Sequence, residues 1–320
     1  MVFDPATQKM HCEYCGSNDS EEKKGDDSLI VCASCGGELT IDNFTSSSRC
    51  PYCNNYLVFD ERVSGEYEPK MIIPFKLSKK KAVESMEKEF KKRVFAPISF
   101  LSEKSLVGMN GFYVPFFLYD YDANGEYTGE GTKVRRWSSG DYDYVETSYY
   151  RVKRKLHAKY DNIPVDASYA MPDAEMDLLE PFDYNMLEEF DPKVMSGFYG
   201  EIFNDPADAF EGRARSKAMV SAHSIIKESL AGYTTLKPFT DRLEVQNERA
   251  DYVLLPVWLY IYQFGGKTYR YYVNGVTGKV VGVTPVSKLK VFLYGLTCSA
   301  MWFLIAKTAF WLAIFFEFLD

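Results

Sequence analysis

Histidine is scarce in this 320-residue chain, which holds only three of them. His11, His157 and His223 lie far apart in sequence, and none belongs to a catalytic motif such as H-E-x-x-H. The motifs G-x-S-x-G and G-x-x-x-x-G-K-S/T, which mark serine hydrolases and P-loop proteins, are missing as well. We therefore predict that the chain is not an enzyme, that His157 is an exposed strand residue and that His223 lies on a helix surface.

An excess of positive charge is also missing. The formal net charge is −8 and the sequence pI is about 5.2. Residues 1–65 hold five basic and eleven acidic side chains, a balance of −6. Because proteins bind nucleic acid by neutralising phosphates with clustered Lys and Arg, this charge argues against nucleic acid as a partner.

Cysteine is missing from most of the chain, since six of the seven cysteines form three C-x-x-C pairs within the first 53 residues. Four of them have the spacing C-x2-C-x14-C-x2-C, namely Cys32, Cys35, Cys50 and Cys53. Each pair can bend into a turn that points two sulfurs at one ion, and four thiolates in a tetrahedron suit Zn²⁺. We predict that these four cysteines bind one zinc ion in a zinc ribbon over residues 29–60. A rubredoxin-like iron site is the alternative.

Two further features accompany these cysteines. Gly36 and Gly37 follow the first pair, where a turn around a metal often needs positive φ. No secretory signal precedes the cysteines, because the N-terminus is short, polar and acidic. Thiolates kept for a metal imply a reducing compartment, so we place this part of the chain in the cytoplasm.

The remaining pair, Cys12 and Cys15, belongs to an internal repeat. The stretch "VFDPATQKMHCEYC" matches "TIDNFTSSSRCPYC" at an offset of 38 residues, which aligns this pair with Cys50 and Cys53. We predict that residues 1–18 are the second half of a duplicated ribbon, with a metal half-site at Cys12 and Cys15 whose partner cysteines would lie upstream of Met1. The competing interpretation joins this pair to Cys32 and Cys35, across a 16-residue gap that also suits zinc.

Residues 70–286 are predicted to form an α+β domain with two related β-meanders. The block "VPFFLYDYDANGEY" resembles "LPVWLYIYQFGGKTY" further along the chain. Each block is predicted to be a strand that runs into a turn, at Asn124-Gly125 in the first and at Gly265-Gly266 in the second. Asn274-Gly275 predicts a further turn.

The first helix of this domain is predicted to be capped near Ser78. It would pack through one apolar face, formed by Val83, Met86, Phe90 and Val94. Its other face carries seven basic side chains against three glutamates. This is either a solvated face or a contact with an anionic membrane surface.

A second helix is predicted to start with Asp205 as N-cap and Pro206 as its first residue. Its expected buried stripe consists of Phe210, Ala214, Ala218, Ile225 and Ile226. The region from 173 to 211 holds twelve acidic residues and one lysine. It is either a solvated acidic loop or a docking surface for a basic partner helix.

A long apolar run closes the sequence. Residues 291–316 carry a single charge, Lys307, over 26 positions. Because about 20 residues span a bilayer core, we predict a transmembrane helix over residues 290–317, with Lys307 snorkelling to the far interface. The alternative is a re-entrant or interfacial segment that pauses at Lys307.

The charges beside this run predict its orientation. Lys288 and Lys290 precede the run, whereas Glu317 and Asp320 follow it. Basic residues favour the cytoplasmic side. We therefore predict a single-pass protein of the cell membrane with its large N-terminal part in the cytoplasm.

These features together resemble a bacterial family of membrane-anchored proteins with a transcription-factor-IIB-type zinc ribbon. The cysteine blocks, "LEPFD" at 179–183, "LLPVWLYIY" at 254–262 and "VNGVTGKVVG" at 273–282 carry the resemblance. Some members are encoded beside phage-shock protein A and SPFH-domain proteins. The resemblance thus implies membrane-stress proteins as partners, and a lipid bilayer contacted through the C-terminal helix.

Residues and resemblance lead to one functional expectation. We expect a membrane-anchored, zinc-containing adaptor that recruits or scaffolds a protein complex at the membrane, in the setting of envelope stress. The alternative is a nucleic-acid-associated zinc-ribbon protein of the replication or transcription type. A membrane-bound enzyme would need a histidine or carboxylate cluster assembled by the fold.

Overall fold

The computed structural model of the chain describes residues 2–4, 9–11, 28–97 and 108–317, with side chains at 30–97 and 108–311. These residues form fourteen strands: β1 (Val2–Asp4), β2 (Lys9–His11), β3 (Ser28–Val31), β4 (Glu38–Ile41), β5 (Thr45–Arg49), β6 (Tyr56–Val58), β7 (Met71–Ile72), β8 (Asn110–Ser139), β9 (Tyr142–Asp166), β10 (Glu188–Glu189), β11 (Tyr199–Glu201), β12 (Thr235–Phe264), β13 (Lys267–Asn274) and β14 (Val280–Gly282). The same residues form four α-helices: α1 (Lys79–Lys91), α2 (Asp173–Leu179), α3 (Ala207–Ser229) and α4 (Lys288–Glu317). The predicted α+β class is confirmed.

The chain divides into two compact units. The smaller unit comprises Met1–Glu22, Leu77–Asn110 and Trp258–Asp320, and the larger unit comprises Lys23–Lys76 and Gly111–Val257. Strand β12 contributes to both, because its residues from Trp258 onward belong to the smaller unit.

The larger unit is built on a mixed sheet. Its strands follow the order β10-β7-β12-β8-β11-β5-β6, and β9 pairs with β8. The β8–β9 pair is a long antiparallel hairpin, whereas β11 runs parallel to β8. A separate two-stranded sheet, β3–β4, lies in the cysteine-rich segment of residues 28–60, which we call the head.

Helix α3 packs on this sheet through a stripe of small side chains. The stripe consists of Phe210, Ala214, Ala218, Ala222 and Ile226, all of them buried. Because alanines let a helix approach a sheet closely, the aromatic residues of β8 reach its backbone. Tyr119 donates its hydroxyl to the carbonyl of Ala207 at 2.6 Å. Most of the predicted stripe is confirmed, but Ile225 is 43% exposed, and Pro206 rather than Asp205 is the N-cap.

The predicted turn at Asn124-Gly125 is wrong. Both residues lie inside β8, opposite His157 and Leu156 of β9. Gly125 serves packing instead, since a Cβ there would lie 3.1 Å from Ile226 Cδ1. The chain reverses only at Gly140, which has φ of 62°.

The end of the β8–β9 hairpin protrudes as a two-stranded ribbon, which we call the hairpin arm (residues 133–150). Its neighbour β12 begins at Thr235, whose hydroxyl is 2.5 Å from that of Thr132. The base of the arm still contacts the segment before β12, since Val134 donates its N–H to Thr234 Oγ1 at 3.1 Å and the Tyr150 ring lies 5.8 Å from that of Tyr233. Beyond this base, the described backbone of the arm pairs within the hairpin. Isolated two-stranded ribbons are marginally stable. The arm is reinforced by Trp137 and Tyr144, a cross-strand pair with stacked rings 5.4 Å apart.

The smaller unit combines α1 with the end of β12, β13 and β14. The turn at Gly265-Gly266 is confirmed, with φ of 60° and 73°. The turn after Asn274 is also confirmed. The Asn274 side chain accepts hydrogen bonds from the N–H groups of Val276 and Thr277. Here β1 pairs with β2 in antiparallel register.

Helix α1 packs inward through Ala82, Met86 and Phe90, and the Phe90 ring contacts Tyr271 at 4.8 Å. Val94 departs from the predicted face. The helix ends at Lys91, so Val94 no longer follows its periodicity and is 67% exposed.

Candidate metal centre

Two turns of the head bring four cysteine side chains together, which are those of Cys32, Cys35, Cys50 and Cys53. Their sulfur atoms all lie within 4.8 Å of one another. The distance is 3.8 Å from Cys32 Sγ to Cys53 Sγ and 3.8 Å from Cys35 Sγ to Cys50 Sγ. Because a zinc–sulfur bond is about 2.3 Å long, a regular tetrahedron of thiolates has sulfur–sulfur edges of about 3.8 Å. The set therefore fits a closed metal site.

The two turns have the same backbone hydrogen bonds. In each, the first cysteine donates its N–H to the carbonyl five residues on and accepts from the N–H four residues on, at 2.8–2.9 Å. The residue at the fourth position has positive φ, 73° for Gly36 and 62° for Asn54. Gly36 is as predicted, whereas Asn54 was missed, although Asn is among the non-glycine residues that best tolerate this conformation.

Gly37 is not a positive-φ position, contrary to expectation. It makes room for an aromatic ring instead, because a Cβ there would lie 2.5 Å from Cδ2 of Tyr52. The first turn therefore uses one glycine for its backbone conformation and the next for side-chain packing.

The protonation of the sulfurs fits a site completed by a cation. Burial raises the pKa of Cys32, but backbone hydrogen bonds from Cys35 and Ser34 outweigh it and lower this pKa to about 7. A backbone hydrogen bond from Gly37 lowers the pKa of Cys35, but burial and the neighbouring sulfurs raise it to about 12. Since four thiolates together need a compensating charge, a dication would ionise them and release protons on binding.

The head has an apolar core of its own and is attached to the large sheet through small residues. Two of the cysteines, Cys32 and Cys50, are buried with Leu39, Ile41 and Phe59. Strand β5 joins the sheet by pairing with β11, where a Cβ on Gly200 would lie 2.6 Å from Ser46 Oγ. The run of serines in β5 and the glycine in β11 allow this close approach.

The other predicted site residues do not join this centre. Cys12 and Cys15 lie outside the residues that the structure describes. His11 is in β2. His157 is exposed on β9, with Nδ1 3.0 Å from Asn124 Oδ1, and His223 is exposed on α3, as predicted.

A charged cluster that sequence analysis missed lies where α2 meets α3. Arg213 of α3 contacts Asp166, Asp173 and Asp177 at 2.9–3.1 Å. Lys217, one helical turn later, contacts Asp177 at 2.8 Å and Glu180 at 2.7 Å. Part of the negative charge of the acidic region is therefore neutralised by internal ion pairs. The spacing Arg-x-x-x-Lys on α3 was the available signal.

Burial makes two of these carboxyl groups unusually basic. Asp166 is 1% exposed, and burial raises its pKa to about 6 although Arg213 opposes the shift. Burial likewise raises the pKa of Glu180 to about 7, against the influence of Lys217.

The C-terminal helix is largely exposed over Lys288–Trp311. Over Lys288–Trp311 it is long and apolar enough to cross a membrane, and none of its most apolar stretch is buried. The helix continues without a break through Lys307. Exposed aromatic side chains include Phe292, Trp302 and Phe310.

The fold and site define an α+β protein with a four-cysteine candidate metal centre and one candidate membrane helix. The chain is 33% identical over 234 residues to a Bacillus subtilis (strain 168) protein named "Uncharacterized protein YdjG". The match covers 73% of this chain and 69% of that relative, so the chain belongs to the family that includes YdjG. No protein-family model and no solved structure matches the chain.

Proposed function

We propose that this protein is a membrane-anchored adaptor whose head is stabilised by one zinc ion and whose cytoplasmic part recruits or scaffolds a protein complex. The observation that carries the proposal is the exposed apolar surface of α4 over 24 residues. Soluble proteins rarely leave so large an apolar surface in water. A bilayer is the environment that would cover it on all sides.

The charges around α4 support one orientation. Lys288 and Lys290 stand at its start, which favours the cytoplasm for this end. Lys307 lies sixteen residues after Val291, and at 1.5 Å per residue this places it about 24 Å along the helix. Its long side chain would reach the opposite headgroup region from there.

Zinc is the metal that best fits the head. The candidate site offers four sulfur ligands and buries two of the cysteines, which is typical of structural zinc sites. Iron in a rubredoxin-like centre uses the same ligands and is distinguished by metal analysis and by its colour. In an adaptor the ion would hold the head folded and would take no part in a reaction.

The hairpin arm is the surface we propose for a protein partner. Paired residues of an antiparallel hairpin share a face, so Arg135, Trp137, Tyr142 and Tyr144 project to one side. Tyr142 is 72% exposed, and the Arg135 guanidinium lies 5.4 Å from the Trp137 ring. Exposed Trp, Tyr and Arg are the side chains most enriched at energetically important protein interfaces.

Charge favours a protein over nucleic acid as this partner. The arm carries three basic and three acidic side chains, so its balance is zero. The basic residues further along β9 face acidic residues of β8, as in Lys153 and Glu126 at 3.1 Å. Electrostatic binding of phosphate needs positive charge that is not already neutralised in this way.

The resemblance to zinc-ribbon proteins of membrane-stress systems extends the proposal. It suggests that the recruited partners are proteins of the phage-shock protein A and SPFH type, acting in envelope stress. The resemblance implies a membrane-stress complex recruited to the bilayer, which agrees with an adaptor that is itself held there.

Co-purification from solubilised membranes tests the proposal. The tagged full chain should be in the membrane fraction and retain partner proteins, whereas a variant lacking residues 291–320 should lose both. A double variant, Trp137→Ala with Tyr144→Ala, should stay in the membrane but lose the partners. The matched control is Phe239→Ala, which removes an exposed aromatic side chain of β12. Unchanged partners in the double variant would exclude the arm.

Filter binding tests the alternative of a nucleic-acid-associated protein. The full chain in detergent is titrated with DNA and RNA at several salt concentrations. We expect weak binding without steep salt dependence, because phosphate binding releases counterions and weakens as salt rises. Tight, salt-sensitive binding would favour the alternative and count against the adaptor.

A further inference from the structure

The end of α1 and the start of α4 lie side by side in the smaller unit. Ser287 donates its N–H to the carbonyl of Phe95 at 2.8 Å, and the Phe95 ring contacts Tyr294 at 5.3 Å. Lys290 Nζ donates to the carbonyl of Ala96 at 2.7 Å. These contacts fix the segment after α1 against the first two turns of α4.

This segment would lie at the surface of the bilayer. The apolar run begins at Val291, and Tyr294 is three residues further, or about 4.5 Å along the helix. Tyr side chains concentrate at membrane–water interfaces. Because Phe95 contacts Tyr294, residues 92–96 would lie level with the lipid headgroups.

A recess opens at this place. It has a volume of about 380 Å³ and is lined by residues 92–96 and 284–286. Its lining is mostly apolar, with Val94 67% and Val286 64% exposed at its edge. Lys92 and Arg93 add positive charge, and Arg93 Nη1 is held by the carbonyl of Gly282 at 2.9 Å.

The recess follows a lysine-rich stretch of the chain, and Lys92 of that stretch lines it. Lys88 and Lys91 are exposed on the last turn of α1, and Lys92 is the exposed C-cap of this helix. Lys92 pairs with Glu89 at 2.8 Å, but its side chain is 66% exposed. Such surface pairs contribute little, so this ammonium group can exchange its partner. From Lys79 to Arg93 the balance is +4, with seven basic and three acidic side chains.

We propose that residues 91–96 and 284–290 form a binding site for the headgroup of an anionic phospholipid, which we call the basal site. The lysines would bind the phosphate, and the exposed valines would contact the upper part of an acyl chain. The proposal rests on the proposed function, because it requires α4 in a bilayer. It adds that the adaptor prefers anionic lipid and binds it at one place.

Native mass spectrometry of the full chain in detergent tests the basal site. The protein is titrated with phosphatidylglycerol and, separately, with phosphatidylcholine. We expect selective retention of phosphatidylglycerol. In the variant Lys91→Gln with Lys92→Gln its affinity should fall about thirty-fold, taking about 1 kcal/mol per lysine near anionic lipid.

The matched control is Lys80→Gln with Lys81→Gln. It removes the same charge from the same helix, at exposed residues eleven positions away, or about 16 Å along the helix. It should keep the affinity of the unaltered chain. Inorganic phosphate at millimolar concentration should not displace the lipid, because the free ion lacks the acyl chain.

Three results would overturn the basal site. These are equal retention of both lipids, an equal loss in the two variants, or full displacement by inorganic phosphate. Membrane fractionation of the unaltered chain separates this failure from that of the proposed function. A chain that fractionates with membranes without preferring anionic lipid removes the basal site alone, whereas a chain absent from membranes removes both.

Discussion

The buried carboxyl of Asp166 leads to a quantitative prediction about pH. Its pKa is raised by burial to about 6, from an ordinary value of 3.8. The folded state therefore binds this proton more tightly than the unfolded chain. The stabilisation is complete below pH 3.8 and is lost as the pH rises through about 6.

The substitution Asp166→Asn isolates this effect, because Asn has the shape of the protonated acid and does not titrate. A shift of about two pKa units corresponds to about 3 kcal/mol. About 2 kcal/mol of this stabilisation is lost as the pH rises from 4.5 to 7.5. The free energy of unfolding of the variant should therefore rise by about 2 kcal/mol relative to the unaltered chain over this range.

Urea unfolding of the full chain in nonionic detergent, followed by circular dichroism, measures the difference at each pH. Asp173→Asn is the matched control, because it removes a carboxylate from the same Arg213 at a side chain that is 63% exposed. Its difference from the unaltered chain should change much less, since solvent already hydrates that group. A constant difference for Asp166→Asn, or one that moves in the opposite direction, would refute the reasoning.

Two further predictions concern the head and its attachment. Cys50→Ser should abolish the binding of one zinc ion per chain in metal analysis and lower the thermal midpoint of the head, because three thiolates leave the site open. Retention of a full equivalent of zinc would exclude the four-cysteine site. Gly200→Ala should cost about 1–3 kcal/mol in urea unfolding, since its methyl group overpacks the β5–β11 contact. The control Gly212→Ala, with nothing within 4 Å of the new Cβ, should be neutral or stabilising in a helix; equal effects would contradict the close approach.

The cysteine cluster could be predicted from sequence because its determinants are local. Two short turns and their spacing define it, and the geometry of Gly36 follows from the same turn. Asn54 has the same conformation without the glycine that would have revealed it. The metal that binds, and any contribution from Cys12 and Cys15, remain predictions.

The long strand β8 could not be predicted, because its glycines suggest turns. Gly125, Gly129 and Gly131 all have odd numbers and therefore share one face of the strand. Cβ atoms there would lie within 2.6–3.1 Å of atoms from other parts of the larger unit. Glycine serves both in turns and where a strand packs closely against its neighbours. Glycines at every second position indicate the packing role, because they share one face of a strand.

The charged cluster was hidden for a different reason. Arg213 and Asp166 lie 47 residues apart, and only the packing of α3 on β9 joins them. The acidic region by itself suggests repulsion and solvation, since its partners lie outside it. Long-range pairing of this kind depends on tertiary structure that local patterns do not encode.

The two strands of the hairpin arm have outer edges as well as faces. Beyond Val134, whose N–H still bonds to Thr234 Oγ1, the strands of the described arm pair with each other, so the ribbon presents an outer edge on each strand. An extended segment of another protein can add to either edge. On the proposed function, the arm would therefore have two attachment edges for such segments, and one anchored copy would link two partners along the membrane.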